Sequence, residues 1–238
     1  MLLYVDDIIV TGNHSSFIDS FTHKLHSEFV TKDLGSLSYF LGLEASPTPD
    51  DLFISHLKYV RDILTHAQLL DSKPVHTPMI VSQHLTADGS PFSDPTLHSS
   101  LVGALQFLTI TRSDIAYAVN SVNQFLLAPT VDHFLAVKHI LRYVKETLHF
   151  GLTFRPSTVP STLVAYSDTD RTGCPDTRRS TSGYSIYLGH NLVSWSAKKQ
   201  PNVSRSSCKS EYRALATTVV EHLWVTHLLH DLKIPISQ

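Results

Sequence analysis

The chain is poor in the residues that staple or anchor small proteins. It has two cysteines, two methionines and two tryptophans in 238 residues. Cys174 and Cys208 stand far apart with no metal-ligand spacing, which excludes a disulfide framework and a zinc motif and makes a reduced intracellular protein the simplest reading. No apolar run approaches the ~18 residues of a membrane-spanning helix. Met1-Leu2-Leu3-Tyr4-Val5-Asp6-Asp7 lacks a basic segment and meets two carboxylates at once, so it is a poor signal or transit peptide. Internal repeats and low-complexity tracts are missing, which excludes solenoids and tails. The apolar fraction, 42%, is too high for a disordered chain. Fifteen histidines are scattered without ligand spacing and read as solvated or capping groups.

Neither sign of charge dominates, but the net −2 conceals an asymmetry. Residues 1–154 carry 9 Lys/Arg against 15 Asp/Glu, whereas residues 155–213 carry 9 against 4. A basic segment inside a mildly acidic chain suits a local polyanion contact, with a solvated basic face as the competing reading.

Apolar periodicity divides the chain. Leu2–Val5 and Ile8–Val10 flank Asp6-Asp7 as a β-hairpin with the acidic pair at its tip. Ser15 or Ser16 can cap a helix whose Phe17, Ile18, Phe21, Leu25 and Phe29 share a face. Tyr39–Leu43 reads as one strand, with Leu52–Ile54 its hairpin partner, and a helix with Val60, Ile63 and Leu64 inward follows. Residues 71–96, with Pro74, Pro78, Gly89, Pro91 and Pro95, read as an extended linker. Three helical patterns come next, carried by Leu101–Leu108, Ile115–Leu126 and Phe134–Leu148. Three strands are expected at Leu163–Asp168, Gly183–Leu188 and Leu192–Trp195. A long helix from Ser206-Ser207 to about Leu232 should bury Leu215, Val219, Leu223 and Leu228.

Few residues invite chemistry. Asp6 and Asp7 could hold hard divalent cations, which prefer carboxylate oxygens, though acidic residues are also ordinary in turns. Asp168 ends a strand, with Asp170 on the same face, and Glu211 lies early in the last helix. A strand-end Asp with a helix Glu is a sensible metal pair, while a first-turn Glu is also favoured by the helix dipole alone. Arg178, Arg179, Lys198, Lys199 and Arg205 could read a phosphate backbone.

In order along the chain, these segments resemble the Pol polyprotein of copia-type long-terminal-repeat retrotransposons and similar short retroelement-derived reading frames of plants. Leu3-Tyr4-Val5-Asp6-Asp7-Ile8 resembles the YVDD box of the polymerase palm. Lys32-Asp33-Leu34-Gly35 and Tyr39–Glu44 resemble the strands after it. Thr111-Arg112 with Asp114-Ile115, and Ile140–Lys145, resemble the helical connection. Tyr166-Ser167-Asp168, Gly173–Tyr184, Trp195–Gln200 and Glu211–Leu215 resemble the opening of an RNase H domain.

The resemblance implies an α+β fold: a reverse-transcriptase palm and thumb remnant (1–70), a linker (71–96), a helical connection (97–158) and a truncated RNase H-like β-β-β-α unit (159–238). It implies Asp6, Asp7, Asp168 and Glu211 as catalytic metal ligands, Mg2+ as cofactor, and an RNA:DNA hybrid or primer-template as partner of the complete parent, with no membrane. It also raises departures. The polymerase pattern needs an Asp upstream of the YVDD box, and the RNase H pattern needs one on a strand after the last helix, which is expected to lie past Gln238. Arg171 stands where the family has Trp, and Lys209 where it often has Glu. The chain alone is therefore expected to be silent, with an open edge on the Asp168 strand, low stability and a tendency to aggregate.

Overall fold

The computed structural model describes residues 1–5, 7–80, 84–157 and 161–237. Strands β1 (Leu2–Tyr4) and β2 (Asp7–Ile9) form an antiparallel hairpin in which Tyr4 faces Asp7. Helix α1 (Ser15–Glu28) follows, and its N-cap is His14 without a side-chain cap bond, in place of the expected Ser15 or Ser16. The expected apolar face of α1 exists in register but nothing covers it: the helix has no buried residue.

A second sheet holds β3 (Tyr39–Phe40), β4 (Leu43–Pro47), β5 (Leu52–Ser55) and β6 (Leu152–Phe154) in that order, all antiparallel. The single strand expected over Tyr39–Leu43 is instead a hairpin. Leu41 (φ 51) and Gly42 (φ 83) both take positive φ, the signature of a two-residue turn between twisted strands. Strand β6 was absent from the periodicity reading, because three residues are too short to show alternation.

The main core is helical. Helices α2 (Leu57–His66), α3 (Pro95–Leu108), α4 (Ala116–Asn123) and α5 (Val131–Glu146) pack around Val60, Leu64, Leu101, Leu105, Val137 and Leu141. A 3-10 turn at Ser113–Ile115 leads into α4. Asp94 caps α3 by accepting from Leu97 N, and Pro95 occupies its first turn, where no amide donor is needed. Thr130 caps α5 reciprocally with His133, whose Nδ1 accepts the Thr130 amide at 2.9 Å. The extended segment before α3 lies along this core. Phe92 stacks on Phe134 at 4.0 Å, and Arg142 and His139 of α5 donate to the carbonyls of Lys73 and Thr77.

The last sheet has the order β10-β7-β8-β9, with β7 (Ser161–Thr169), β8 (Thr181–Leu188) and β9 (Asn191–Lys199) antiparallel. Helix α6 (Ser207–Asp231) crosses one face and leads to β10 (Ile236–Ser237), which pairs parallel with Ser161 and Thr162 of β7. The expectation that no parallel strand follows the last helix is corrected: Ile236 and Ser237 pair parallel with β7. β10 covers only the start of β7.

The expected inward stripe of α6 is also corrected. Leu215 (49% exposed), Val219, Leu223 (51%) and Leu228 face solvent, and Ser210, Ala214, Thr218, Val225 and Leu229 face the sheet. Small side chains at Ser210, Ala214 and Thr218 let the helix lie close on β7 and β8, where Ile186 is fully buried. No helix among the described residues is long and apolar enough to cross a membrane.

Candidate carboxylate and nucleic-acid sites

The hairpin places Asp7 at the start of β2, exposed to solvent. Asp6 lies outside the described residues. Val5, beside it, has φ 49, so the turn backbone is in the left-handed region at a β-branched residue, a conformation such residues rarely adopt.

The second candidate pair sits on two elements of the last sheet. Leu163 and Ala165 pack with Val225 and Leu229 of α6. Side chains alternate along a strand, so Tyr166 and Asp168, both exposed, turn to the other face. Asp168 is in register with Gly183. Glu211 is exposed and lies in the second turn of α6, not in the first as expected; the first turn holds no acidic residue. Asp170 does not act as a second free carboxylate. Its Oδ1 accepts from Thr181 N (2.8 Å) and Gly173 N (3.3 Å), which closes the turn between β7 and β8. Among the described residues, no three His, Cys, Asp or Glu side chains gather closely enough to hold a metal ion. The described carboxylates therefore do not by themselves fit a Mg2+ centre, and no step is derived through one.

The expected phosphate-reading cations divide into two kinds. Arg178, Arg179, Lys198 and Arg205 are exposed. Arg178 has φ 56, in a tight turn where its amide donates to Cys174 O at 2.8 Å. Lys199 is committed elsewhere: its Nζ donates to Gln124 Oε1 (2.9 Å) and to Cys174 Sγ (2.8 Å), tying β9 to the helical core and to the β7–β8 loop. Although burial pushes the Cys174 thiol up, hydrogen bonds from Lys199 and Thr177 and the Lys199 charge outweigh it and hold the thiol below its ordinary value.

Three features escaped the sequence reading. Gln200 is buried and hydrogen-bonds four side or main chains. Arg112 is 2% exposed, clamped to Asp114 by two bonds of 2.9 and 2.7 Å, and bonded to Thr147 O and Oγ1. The histidines are not all solvated or capping: His56 and His98 are buried in the helical core, and neither ring nitrogen of His98 has a hydrogen-bond partner among the described residues. A local signal existed for His98, a lone histidine within the apolar pattern of α3, but nothing in the sequence set Gln200, Arg112 or His56 apart from surface residues.

Residues 1–81 match the family model described as reverse transcriptase (RNA-dependent DNA polymerase). The chain is 46% identical over 94% of its length to an uncharacterized mitochondrial protein of Arabidopsis thaliana, covering 93% of that protein. It is 43% identical over its whole length to the retrovirus-related Pol polyprotein from transposon RE1 of Arabidopsis thaliana, and 34% identical over 98% to that from transposon TNT 1-94 of Nicotiana tabacum. It spans only 16% and 18% of those two polyproteins. No solved structure matches the chain. The chain belongs to the family of copia-type retrotransposon Pol polyproteins and is retrotransposon-derived, with a reverse transcriptase segment at its start.

Proposed function

We propose that this chain descends from a polyprotein that copies RNA into DNA and degrades the RNA strand, and that the 238-residue polypeptide is by itself catalytically silent. The units of descent are a palm and thumb remnant over 1–70, a linker over 71–96, a helical connection over 97–158 and an RNase H-like unit over 159–238. Packing cuts across these units, since α2 shares its core with α3, α4 and α5. The RNase H reading is supported by the crossover from α6 into β10, which runs parallel to β7, the strand that carries Asp168. Asp168 and Glu211 are the carboxylates assigned to that unit, and Asp6 and Asp7 those assigned to the palm. In the parent, a divalent metal such as Mg2+ would polarise the scissile phosphate.

The observation that carries the silent reading is the dispersal of acid groups. Two-metal chemistry needs several carboxylates around ions about 4 Å apart, and among the described residues no three His, Cys, Asp or Glu side chains gather closely enough to hold an ion. An Mg2+-supplemented assay on an RNA:DNA hybrid and on a primed template is expected to give no product above that of Asp168→Asn. Turnover that Asp168→Asn abolishes would overturn the proposal.

A second reading, a non-enzymatic nucleic-acid binder, is favoured by the exposure of Arg178, Arg179, Lys198 and Arg205 within the basic 171–213 region. Binding to a hybrid duplex should weaken steeply with salt, and Arg178→Ala with Arg179→Ala should lower the log–log slope by roughly one per lost phosphate contact. Affinity that is flat across the salt series in a gel-shift experiment excludes it.

A further inference from the structure

We propose that Gln200 is the positioning residue that fixes the start of α6, which carries Glu211, against the end of β7, which carries Asp168; this rests on the assignment of those two carboxylates to one RNase H-like unit. Gln200 follows the last residue of β9, and its amide donates to Ser180 O at 2.7 Å, so its backbone is fixed by the start of β8. Its side chain is buried. Nε2 donates to Ser182 Oγ (2.7 Å), to Ser210 O (3.0 Å) and, at longer range, to Thr169 Oγ1 (3.4 Å). Oε1 accepts from Ser204 Oγ at 3.0 Å.

The partners give this amide its meaning. Thr169 is the residue after Asp168, and Ser210 is the residue before Glu211. One nitrogen therefore links the end of the strand that carries the first carboxylate to the first turn of the helix that carries the second. The link continues outward, because Arg213 Nη1 donates to Ser204 Oγ and to Asn202 O, each at 3.1 Å. The first two turns of α6 thus carry polar ties, from Ser210 to Gln200 and from Arg213 to the loop at Asn202 and Ser204, beside the buried Ala214, whereas the larger apolar contacts of Val225 and Leu229 come in its later turns. Hydrogen bonds are directional where apolar contact is not, so the polar end fixes the helix azimuth. Only an amide of this length supplies both donor and acceptor here: Asn is shorter, ionised Glu has no donor, and Met has neither.

The test uses the full chain and the variants Gln200→Met and Ser204→Ala. Amide residual dipolar couplings report the orientation of α6 against β7, β8 and β9, and hydrogen exchange reports local opening. In Gln200→Met, the α6 couplings should no longer fit jointly with those of the sheet, while each element still fits alone. Exchange of the Glu211–Ala214 amides should accelerate at least tenfold, with the amides of α5 unchanged. Joint fitting with unchanged exchange overturns the proposal, as does uniform acceleration throughout the chain, which reports a loss of stability only. Should Gln200→Met not fold, Ser204→Ala, which frees Oε1 and leaves Arg213 Nη1 only its bond to Asn202 O, must show the same displacement in smaller measure; its absence equally overturns the proposal. If the carboxylate assignment itself is wrong, α6 still reorients in these variants, and the failure shows instead as Asp168→Asn and Glu211→Gln having unlike effects on hybrid cleavage in a longer polyprotein segment.

Discussion

At the scale of single residues, the helical core carries polar groups whose removal has opposite consequences. The Arg112 guanidinium lies 5.8 Å from the Tyr143 ring centre and 5.3 Å from that of Phe150, with its donors spent on Asp114 and Thr147. Burial alone would raise the Asp114 carboxyl, but the Arg112 hydrogen bonds and charge outweigh it and hold the group below its ordinary value. Arg112→Met leaves Asp114 with the Tyr143 hydroxyl and the Thr147 carbonyl with Phe150 N as their remaining partners, and should cost about 3 kcal/mol in urea unfolding. His98 is the reverse case. It is 0% exposed, and burial first, then the nearby His133, pushes its titration below the ordinary histidine range. His56 and His133 are lowered too, chiefly by burial, against the raising effects of Glu44 on the one and of the Thr86 carbonyl, Asp132 and Asp176 on the other. A histidine with a depressed folded value is neutral in the fold and charged in the unfolded chain at acid pH. Stability is therefore full above about pH 6.5 and falls as pH drops toward the folded values, by up to about 1.4 kcal/mol per pH unit for each histidine. His98→Leu should raise stability at pH 7 by about 1 kcal/mol and flatten the acid slope by one proton. Equal slopes for the two proteins would refute the assignment.

At the scale of elements, α6 separates what burial needs from what apolarity suggests. Ala214 is buried against the sheet, while Leu215 and Leu223 are about half exposed. Ala214→Leu should cost about 1–3 kcal/mol by overpacking, whereas Leu215→Glu should change stability by no more than about 0.5 kcal/mol. The β3–β4 turn gives a parallel test: Gly42 has φ +83 and an added Cβ would meet the Phe107 ring at 3.3 Å, so Gly42→Ala should cost about 1–2 kcal/mol in thermal unfolding. These two elements also mark how far the sequence could be read. Helices α3, α4 and α5 were legible because Leu101, Leu105, Val137 and Leu141 recur at helical spacing and are buried where that spacing puts them. The Ser206 start of α6 was legible from its capping chemistry. The buried face of α6 was not, since a helix that lies close on a sheet selects small residues and its apolar flanks then mislead the periodicity. Strand β6 was hidden because it pairs with β5, about a hundred positions away, and leaves no local pattern, and the Leu41-Gly42 turn was hidden because its flanking Tyr39-Phe40 and Leu43 read as one continuous apolar run. Of the candidate site, Asp168 and Glu211 were legible by resemblance, whereas Gln200 and the commitment of Lys199 to Cys174 depend on tertiary contacts alone.

At the scale of the whole molecule, large apolar side chains stand exposed on two helices. Helix α1 presents Phe17, Phe21 and Phe29, and α6 presents Leu215, Val219, Leu223 and, on its other flank, Trp224 at 58% exposure. Strand β7 is paired along its β8 side but by only two residues of β10 on the other. Contiguous apolar faces and a thinly covered strand edge are the surfaces through which chains associate. Sedimentation velocity over a tenfold concentration range should therefore show a rising weight-average coefficient. The two surfaces can be told apart, because carboxylates on a half-exposed helix flank are tolerated without loss of fold. Leu215→Glu with Leu223→Glu should lower association if α6 is the contact, and leave it unchanged if the β7 edge is. A lysine at Val164, exposed beside that edge, should act in the opposite pattern, since an edge charge blocks strand pairing. A parent chain that sediments as a monomer across the range, with a single cooperative thermal transition, would show that neither surface is adhesive.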